Sequence, residues 1–367
     1  MTESKRAPAV IAFTNPFRLV FRDPNDRWTA TLDDINNKTY DYIKLHRLSA
    51  SLDIGLPMPF CMHIGFDGSL LLPKIEQFWP VEKAVLAFNQ ILGYILVGGI
   101  YFSPVDSTDI DQALLYTTGY FRPFGFASSF NAQTRMTLQE KIASPLHSIL
   151  LYQPKHIFAN DIHRAYQEGK AICSKIPSLS ADFLVHGVTS FVSHDWAASL
   201  SHLWISAEQV IEFLWIKNIL GRDDQSVTKI PGRRDFLKDH RTWTTSARLE
   251  MLFQKGIISI DTYRLLSVAR KARNDLVHSG KLPERAGSLA ALEAVFQLIA
   301  SIASPDDATY FSKLLDDYQS LDPIERHYTP RRSIPVEEVD ALWMGPLPPI
   351  PGEAEWGDQP YEKVPGT

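Results

Sequence analysis

The feature that most limits the fold of this chain is a succession of four apolar patterns with helical spacing between residues 183 and 303. In each pattern apolar residues recur every three or four positions, which is typical of one buried helix face. The predicted helices run from Asp195 to Gly221, from Ser246 to Lys255, from Asp261 to Gly280 and from Glu284 to Ala303. Four such helices predict an all-α antiparallel bundle in this half of the chain.

The first 160 residues alternate between extended and helical patterns. Phe17 to Arg22 and Tyr40 to Leu45 are predicted strands, because both are rich in β-branched and aromatic residues. Met62 to Leu72 is predicted to form a hairpin around Asp67 and Gly68. A helix beginning near Trp79 is expected to follow. This half is therefore predicted to be an α+β domain.

An aromatic segment from Tyr120 to Phe126 contains one arginine. Exposed aromatic rings beside a guanidinium can stack on nucleic-acid bases, whereas most aromatic clusters pack in a core. We favour core packing at this stage and keep base stacking as the alternative.

The rest of the chain is divided by composition. We expect an α+β domain of unknown role over residues 1–160, a helical connector over 161–180, the bundle over 181–305 and a short helical extension over 306–328. Residues 329–367 form a Pro-rich acidic tail, and from Glu337 to Thr367 seven acidic residues face one basic residue. Such a composition favours an extended or disordered segment.

Few features point to a membrane or to a disulfide framework. The longest apolar stretch, Val81 to Phe102, carries Glu82 and Lys83, so we interpret it as a buried helix that ends at Gly98. The N-terminus lacks a signal-peptide pattern. Cys61 and Cys173 lie far apart without a neighbouring cysteine, so we predict no zinc site and a cytoplasmic protein.

The third predicted helix carries Arg273, Asn274 and His278 near its end. A guanidinium can stabilise charge on a phosphorane, an amide can orient a neighbouring group, and an imidazole can transfer protons, which together meet the needs of RNA cleavage without metal or cofactor. The competing interpretation is that Arg273 and His278 are cations that complement a helix C-terminus.

Helical geometry places this motif relative to the predicted core. The apolar stripe of the helix consists of Leu265, Val268, Ala269, Ala272 and Leu276. Ser267, Asn274 and His278 are predicted to lie opposite the stripe, and Arg273 lies at its margin, about 140° from His278. Arg270, Lys271 and Lys281 are the predicted substrate-binding cations. Between Lys217 and Arg285 fifteen Lys and Arg residues oppose eight Asp and Glu residues, which favours a polyanionic partner.

Two other histidine patterns are set aside. Arg234 and His240 have similar spacing, but they follow Pro231 and Gly232 in a predicted loop and lack the asparagine, so we interpret them as surface or RNA-contacting residues. The histidines His186, His194 and His202 recur every eight residues, which is not the spacing of a helical metal pair, so we interpret them as structural.

The bundle and its motif resemble the HEPN superfamily (higher eukaryotes and prokaryotes nucleotide-binding domains), including the domains of ApeA-type phage-defence proteins. The resemblance covers residues 181–305. The family's bundles carry Arg-x4-6-His on the third main helix, which matches Arg273 and His278 here, and often a glutamate on the first long helix. Glu208 matches that glutamate, with Glu212 as a competitor, so the resemblance adds Glu208 to the catalytic residues Arg273, Asn274 and His278. The segment Arg248 to Phe253 is also similar to the family. Because Glu208 should be partly desolvated beside Trp204, we expect a salt bridge from Glu208 to Arg273.

The resemblance implies a function for the whole chain. It implies a metal-independent endoribonuclease that acts on RNA as a homodimer, with one composite site formed where two copies of the motif helix meet. It further implies antiphage defence or toxin-like activity, with a phage-derived or regulatory trigger at the N-terminal domain. The alternative is a non-catalytic module that binds nucleotides or RNA and dimerises.

Overall fold

The structure is a computed structural model that describes residues 5–57, 59–221 and 232–303. Its elements within these ranges are strands in the first half and helices throughout. The strands are β1 (Arg6–Ala12), β2 (Leu19–Phe21), β3 (Leu48–Leu52), β4 (Met62–Gly65), β5 (Leu70–Pro73), β6 (Ile110–Tyr116), β7 (Tyr120–Pro123) and β8 (His156–Phe158). The helices are α1 (Leu32–Asn36), α2 (Tyr42–Leu45), α3 (Val81–Val97), α4 (Phe130–Gln139), α5 (Pro145–Ser148), α6 (Ala159–Ser174), α7 (Ala181–Val192), α8 (Trp196–Trp215), α9 (Arg233–Lys238), α10 (Thr245–Gln254), α11 (Ile260–Ser279) and α12 (Arg285–Ile302).

Six strands form an antiparallel sheet in the order β3-β4-β5-β1-β6-β7. The sheet curls until its two edges meet, because Leu48 N donates to Gly119 O at 2.8 Å and Phe121 N donates to His46 O at 2.9 Å. The predicted hairpin at Asp67 and Gly68 is confirmed as the β4–β5 turn, where Gly68 has a φ of +86°. The α+β class of this half is therefore as the sequence predicts.

The second predicted strand, Tyr40 to Leu45, is wrong, since Tyr42–Leu45 forms the short helix α2. The Asp41 side chain accepts a hydrogen bond from Lys44 N, which caps a helical turn. The strand predicted at Phe17 to Arg22 is confirmed in its centre as β2, which pairs in parallel with β8. The local cap at Asp41 therefore outweighs the strand preference of the aromatic residues around it.

Core packing accounts for only part of the aromatic segment after β6. Phe121 is buried, whereas Phe124 and Phe126 are 52% and 74% exposed. The loop that carries these two rings is fixed to β6, because the buried Asp111 carboxylate accepts from Gly125 N at 2.6 Å and from Phe126 N at 3.0 Å. Core packing as a prediction for the whole segment is therefore wrong at its last two rings.

One apolar core connects the sheet to the helices. Helix α3 packs on α6 and α7. Gly93 in this helix and the C-cap residue Gly98 allow this approach, since a Cβ at Gly93 or Gly98 would lie within 2.6 Å of the Ala181 or Ala165 backbone. The same buried cluster continues through α8 and α12. The predicted boundary near residue 160 marks a change from strands to helices, and the core runs across it.

The helical half matches the predicted boundaries closely. Asp195 caps α8, which continues as a π-helical segment over Ile216–Leu220 and ends at the C-cap Gly221. Gly256 and Gly280 end α10 and α11 with positive φ angles. The N-cap of α11 is Ser259, two residues before the predicted cap Asp261, and its hydroxyl accepts from Thr262 N. The second half is helical as predicted, and the expectations for residues 306–367 lie outside the described residues.

Helix α12 is long and apolar enough to cross a membrane by length and composition alone. Its 18-residue window has a mean hydropathy of 1.3, and 56% of that window is buried inside the fold. A core helix has the same properties, because its apolar side chains pack against neighbouring helices.

Candidate functional site

The motif helix α11 buries a narrower face than its sequence predicts. Thr262, Leu266 and Ala269 are its buried residues, whereas Val268, which was assigned to the predicted stripe, is 50% exposed. Leu266 is buried instead of Val268, because α11 packs against α12 and α8 with the face that carries Leu266 and Ala269. The stripe assignment of Val268 is therefore wrong, and that of Ala269 is confirmed.

Arg273 lies four residues beyond Ala269, on the same line of the helix as Leu266 and Ala269. Its side chain is half-buried, and Nη1 lies 3.4 Å from the amide oxygen of Asn274, a long hydrogen bond. Asn274 and His278 are exposed on the opposite side, as predicted. The guanidinium, the amide and the imidazole therefore lie within the last two turns before Gly280.

The predicted substrate-binding cations occupy two places. Arg270 precedes Asn274 by one turn and donates from Nη1 to the hydroxyl of Ser246 at the start of α10. Lys271 and Lys281 are exposed and line a shallow groove of about 200 Å³ between α11 and the start of α12. The cations therefore flank the motif on both sides.

The predicted salt bridge from Glu208 to Arg273 is wrong. Oε1 of Glu208 accepts from Trp204 Nε1 at 2.8 Å and from Thr245 Oγ1 at 3.3 Å, and in the described part of the chain Glu208 forms no ion pair with Arg273. The Trp204 indole lies one helical turn from Glu208 on α8, and its Nε1 donates to the carboxylate in place of Arg273. Among the described residues, hydrogen bonds connect Glu208 to α11 through the adjacent residues Thr245 and Ser246, the second of which contacts Arg270.

The guanidinium that meets a glutamate of α8 is Arg248 of α10. Arg248 forms an ion pair with Glu212, and its Nη2 lies 3.2 Å from Nδ1 of His240. Its side chain is 5% exposed, lies over the Trp215 ring at 5.5 Å, and leaves Nε without a hydrogen bond among the described residues. Burial lowers the pKa of Arg248 from its usual range, although an arginine remains charged at neutral pH.

Sequence reasoning missed this cluster. The sequence indicates Arg248 only as the first residue of the segment that resembles the family, and it indicates His240 only as a surface or RNA-contacting residue. The available signal was that Arg248 shares the buried face of α10 with Leu249 and Leu252, where a charged residue is unusual. Arg234, the partner of His240 in the set-aside pattern, lies on the short helix α9 rather than in a loop.

Two depressions meet at the Glu212–Arg248–His240 cluster. One, of about 490 Å³, is lined by Glu208, Glu212, His240 and Arg248 together with aliphatic walls from Ile205 and Ile211. The other, of about 350 Å³, shares Glu212 and His240 and extends towards α9. We call the larger depression the α8–α10 groove.

The histidines of α7 and α8 pack against each other. His186 Nδ1 lies 3.4 Å from the Asp182 carboxylate, and its ring centroid is 5.3 Å from that of His202. The hydrogen bond to Asp182 raises the pKa of His186, whereas burial lowers the pKa of His202. Within residues 5–57, 59–221 and 232–303 no group of three or more His, Cys, Asp or Glu side chains is arranged to hold a metal ion.

Comparison with known proteins adds no relative to this description: no protein family, no curated protein and no solved structure matches the chain.

Proposed function

We propose that this protein is an endoribonuclease of the HEPN type that cleaves RNA through the ribose 2′-OH, without a metal ion, at the surface formed by Arg273, Asn274 and His278. The observation that carries the proposal is the exposure of His278 on the side of α11 that also bears Asn274, whose amide oxygen contacts the Arg273 guanidinium. Among the described residues His278 takes part in no hydrogen bond or ion pair, so its imidazole is free to meet a substrate.

The chemistry follows from these groups. An imidazole removes the 2′-OH proton, the 2′ oxygen attacks the adjacent phosphorus, and the bond from phosphorus to the 5′ oxygen breaks. An imidazolium returns a proton to the leaving 5′ oxygen, which leaves a 2′,3′-cyclic phosphate. Arg273 stabilises charge on the non-bridging oxygens, and Arg270, Lys271 and Lys281 attract the phosphate backbone.

A second copy of the chain completes the site in this proposal. One motif helix presents a single exposed imidazole, whereas the reaction uses a base and an acid. A two-fold pairing of α11 would bring two His278 side chains to one cleft. A strictly monomeric species, verified by light scattering at the assay concentration, that still cleaves RNA would contradict this part.

The decisive experiment compares His278→Ala with His163→Ala, which changes an exposed histidine on α6. Each protein is incubated with RNA in EDTA, and the product ends are identified. We expect 2′,3′-cyclic phosphate ends from the wild type and from His163→Ala, and no cleavage by His278→Ala with an unchanged melting temperature. Full activity of His278→Ala would contradict the proposal, and a mobility shift without cleavage by the wild type would favour the non-catalytic RNA-binding module.

The family resemblance alone suggests that the N-terminal half responds to a phage-derived or regulatory trigger. The proposal that the protein acts in the cytoplasm rests on its two cysteines, Cys61 and Cys173, which lie far apart in the sequence.

A further inference from the structure

The α8–α10 groove has no part in the cleavage chemistry proposed above, yet it has the composition of a ligand site. Its volume of about 490 Å³ falls in the range of small-molecule pockets, and Ile205 and Ile211 supply aliphatic walls. Most of its lining residues are polar, and Glu208, Glu212 and Arg248 among them are held in place by hydrogen bonds or an ion pair. Such an arrangement fixes the orientation of a polar ligand between apolar surfaces.

In each of the two carboxylates of the groove, one oxygen is available to accept a hydrogen bond from a ligand. Oε1 of Glu208 is held by Trp204 and Thr245, and Oε2 of Glu212 is held by Arg248. The opposite oxygen of each carboxylate has no hydrogen bond among the described residues. Because an ionised carboxylate only accepts, both oxygens can accept hydrogen bonds from the donors of a bound ligand.

The imidazole of His240 supplies a hydrogen-bond donor to the groove. An arginine only donates, so Nδ1 of His240 must accept the hydrogen bond from Arg248 Nη2. The neutral ring then carries its proton on Nε2, which is a donor. The groove thus combines two fixed acceptor oxygens with one donor.

We propose that the α8–α10 groove binds a guanine base through the carboxylates of Glu208 and Glu212 and the imidazole of His240. Guanine presents two neighbouring donors, the ring N1–H and the exocyclic amino group, beside the O6 acceptor. Adenine and cytosine place a ring-nitrogen acceptor beside their amino group, and uracil has a single N–H between two carbonyls, so each would direct a lone pair at a carboxylate. Unstacked RNA bases are recognised along this edge.

The groove is connected to the motif helix through the start of α10. Thr245 contacts Glu208 in the groove, and its neighbour Ser246 contacts Arg270 on α11. A nucleotide with its base in the groove would therefore direct its phosphate towards Arg270, since the glutamates repel an anion. The inference rests on the proposed ribonuclease function for its role, which is the selection of guanosine next to the cleaved bond.

Binding of the four nucleoside 3′-monophosphates to the full chain, measured by calorimetry, tests this inference. We expect the guanosine nucleotide to bind the wild type about tenfold more tightly than the other three, as befits hydrogen bonds to a charged group. Glu208→Gln should abolish this preference, and Glu168→Gln, at an exposed glutamate of α6, should retain it. Because Glu208→Gln also alters the contact with Trp204, Ile205→Trp provides a second variant that fills the groove and should weaken guanosine binding.

Two outcomes would overturn the inference: equal affinity for the four nucleotides, or no binding by the wild type. The same titration on His278→Ala separates the two proposals. Guanosine preference without any RNA cleavage would leave the groove assignment standing and remove the ribonuclease, whereas cleavage of RNA without base preference would do the reverse.

Discussion

Each half of the molecule buries an arginine, and the two arginines differ in what surrounds them. Arg135 of α4 donates to the Asp67 carbonyl at 2.8 Å and to the Thr14 carbonyl, and its Nη1 lies 3.9 Å from the Asp67 carboxylate. Both side chains of this pair are at most 2% exposed. Arg248 instead meets a carboxylate that is 34% exposed and the ring of the exposed His240, beside an open groove.

The difference separates a structural pair from a candidate binding site. Arg135 connects α4 to the β4–β5 turn, where Asp67 also accepts from Ser69 N at 3.0 Å and Gln139 Nε2 at 3.2 Å. No ligand can reach this closed network, so its value is to hold the turn in one conformation. Around Arg248, the buried charge orients Glu212 and His240 while leaving both accessible. Burial of an arginine alone does not indicate function; the exposure of its partners does.

The largest expected effect comes from removing the closed pair. Asp67→Ala leaves the buried Arg135 without its carboxylate, so we expect the free energy of unfolding to fall by about 3–5 kcal/mol. Chemical denaturation measures the change. Asp161→Ala, which removes an exposed pair with Arg164, is the matched control and should cost less than about 1 kcal/mol. A loss at Asp67 no larger than that of the control would contradict a structural role for the Arg135 network.

A smaller effect is expected at the open pair. Glu212→Ala also leaves a buried guanidinium, but the His240 ring remains beside it and the α8–α10 groove is open to solvent. We therefore expect a loss of about 1–2 kcal/mol, between the values for a buried and an exposed pair. The same denaturation measurements test this prediction. A loss of unfolding free energy as large as that of Asp67→Ala would show that the two arginines are equivalent and would contradict the distinction between them.

The smallest effect concerns pH and the histidine pair between α7 and α8. Burial, with the neighbouring His186, holds the pKa of His202 below its usual 6.5 in the folded protein, so the unfolded chain binds a proton more readily. Stability from the neutral His202 is therefore present above pH 6.5 and is lost as the pH falls towards its folded pKa. His202→Gln should lose less stability than the wild type between pH 7.5 and pH 5.5, as measured by denaturation at each pH.

His186→Gln is the control of opposite sign. The pKa of His186 is raised by its hydrogen bond to Asp182, so its stabilisation is complete below pH 6.5 and is lost as the pH rises through the folded pKa. Relative to the wild type, this variant should lose less stability on going from low to high pH. Parallel pH profiles for the wild type and both variants would show that the pair is not linked to folding.

Sequence patterns correctly predicted the features that depend on local backbone geometry, which are the helix ends and the exposed side of α11. Asp195, Gly256 and Gly280 mark helix ends because capping hydrogen bonds and positive φ angles involve only neighbouring residues. The exposed side of α11 was predicted for the same reason, since Asn274 and His278 follow from 3.6 residues per turn. The errors at Tyr42–Leu45 and Val268 arose where a cap or a second packed helix outweighed the apolar pattern.

The amino-acid sequence by itself determined the change from an α+β half to a helical half, the helix ends and the side of α11 on which Asn274 and His278 lie. Only the tertiary structure decided which polar side chains meet: Glu208 with Trp204 and Thr245, and Arg248 with Glu212 and His240. Helical periodicity fixes the face of each residue, but the rotation and separation of two packed helices depend on every side chain between them. A pairing of side chains across helices is therefore settled by packing and cannot be obtained from the spacing of residues along one helix.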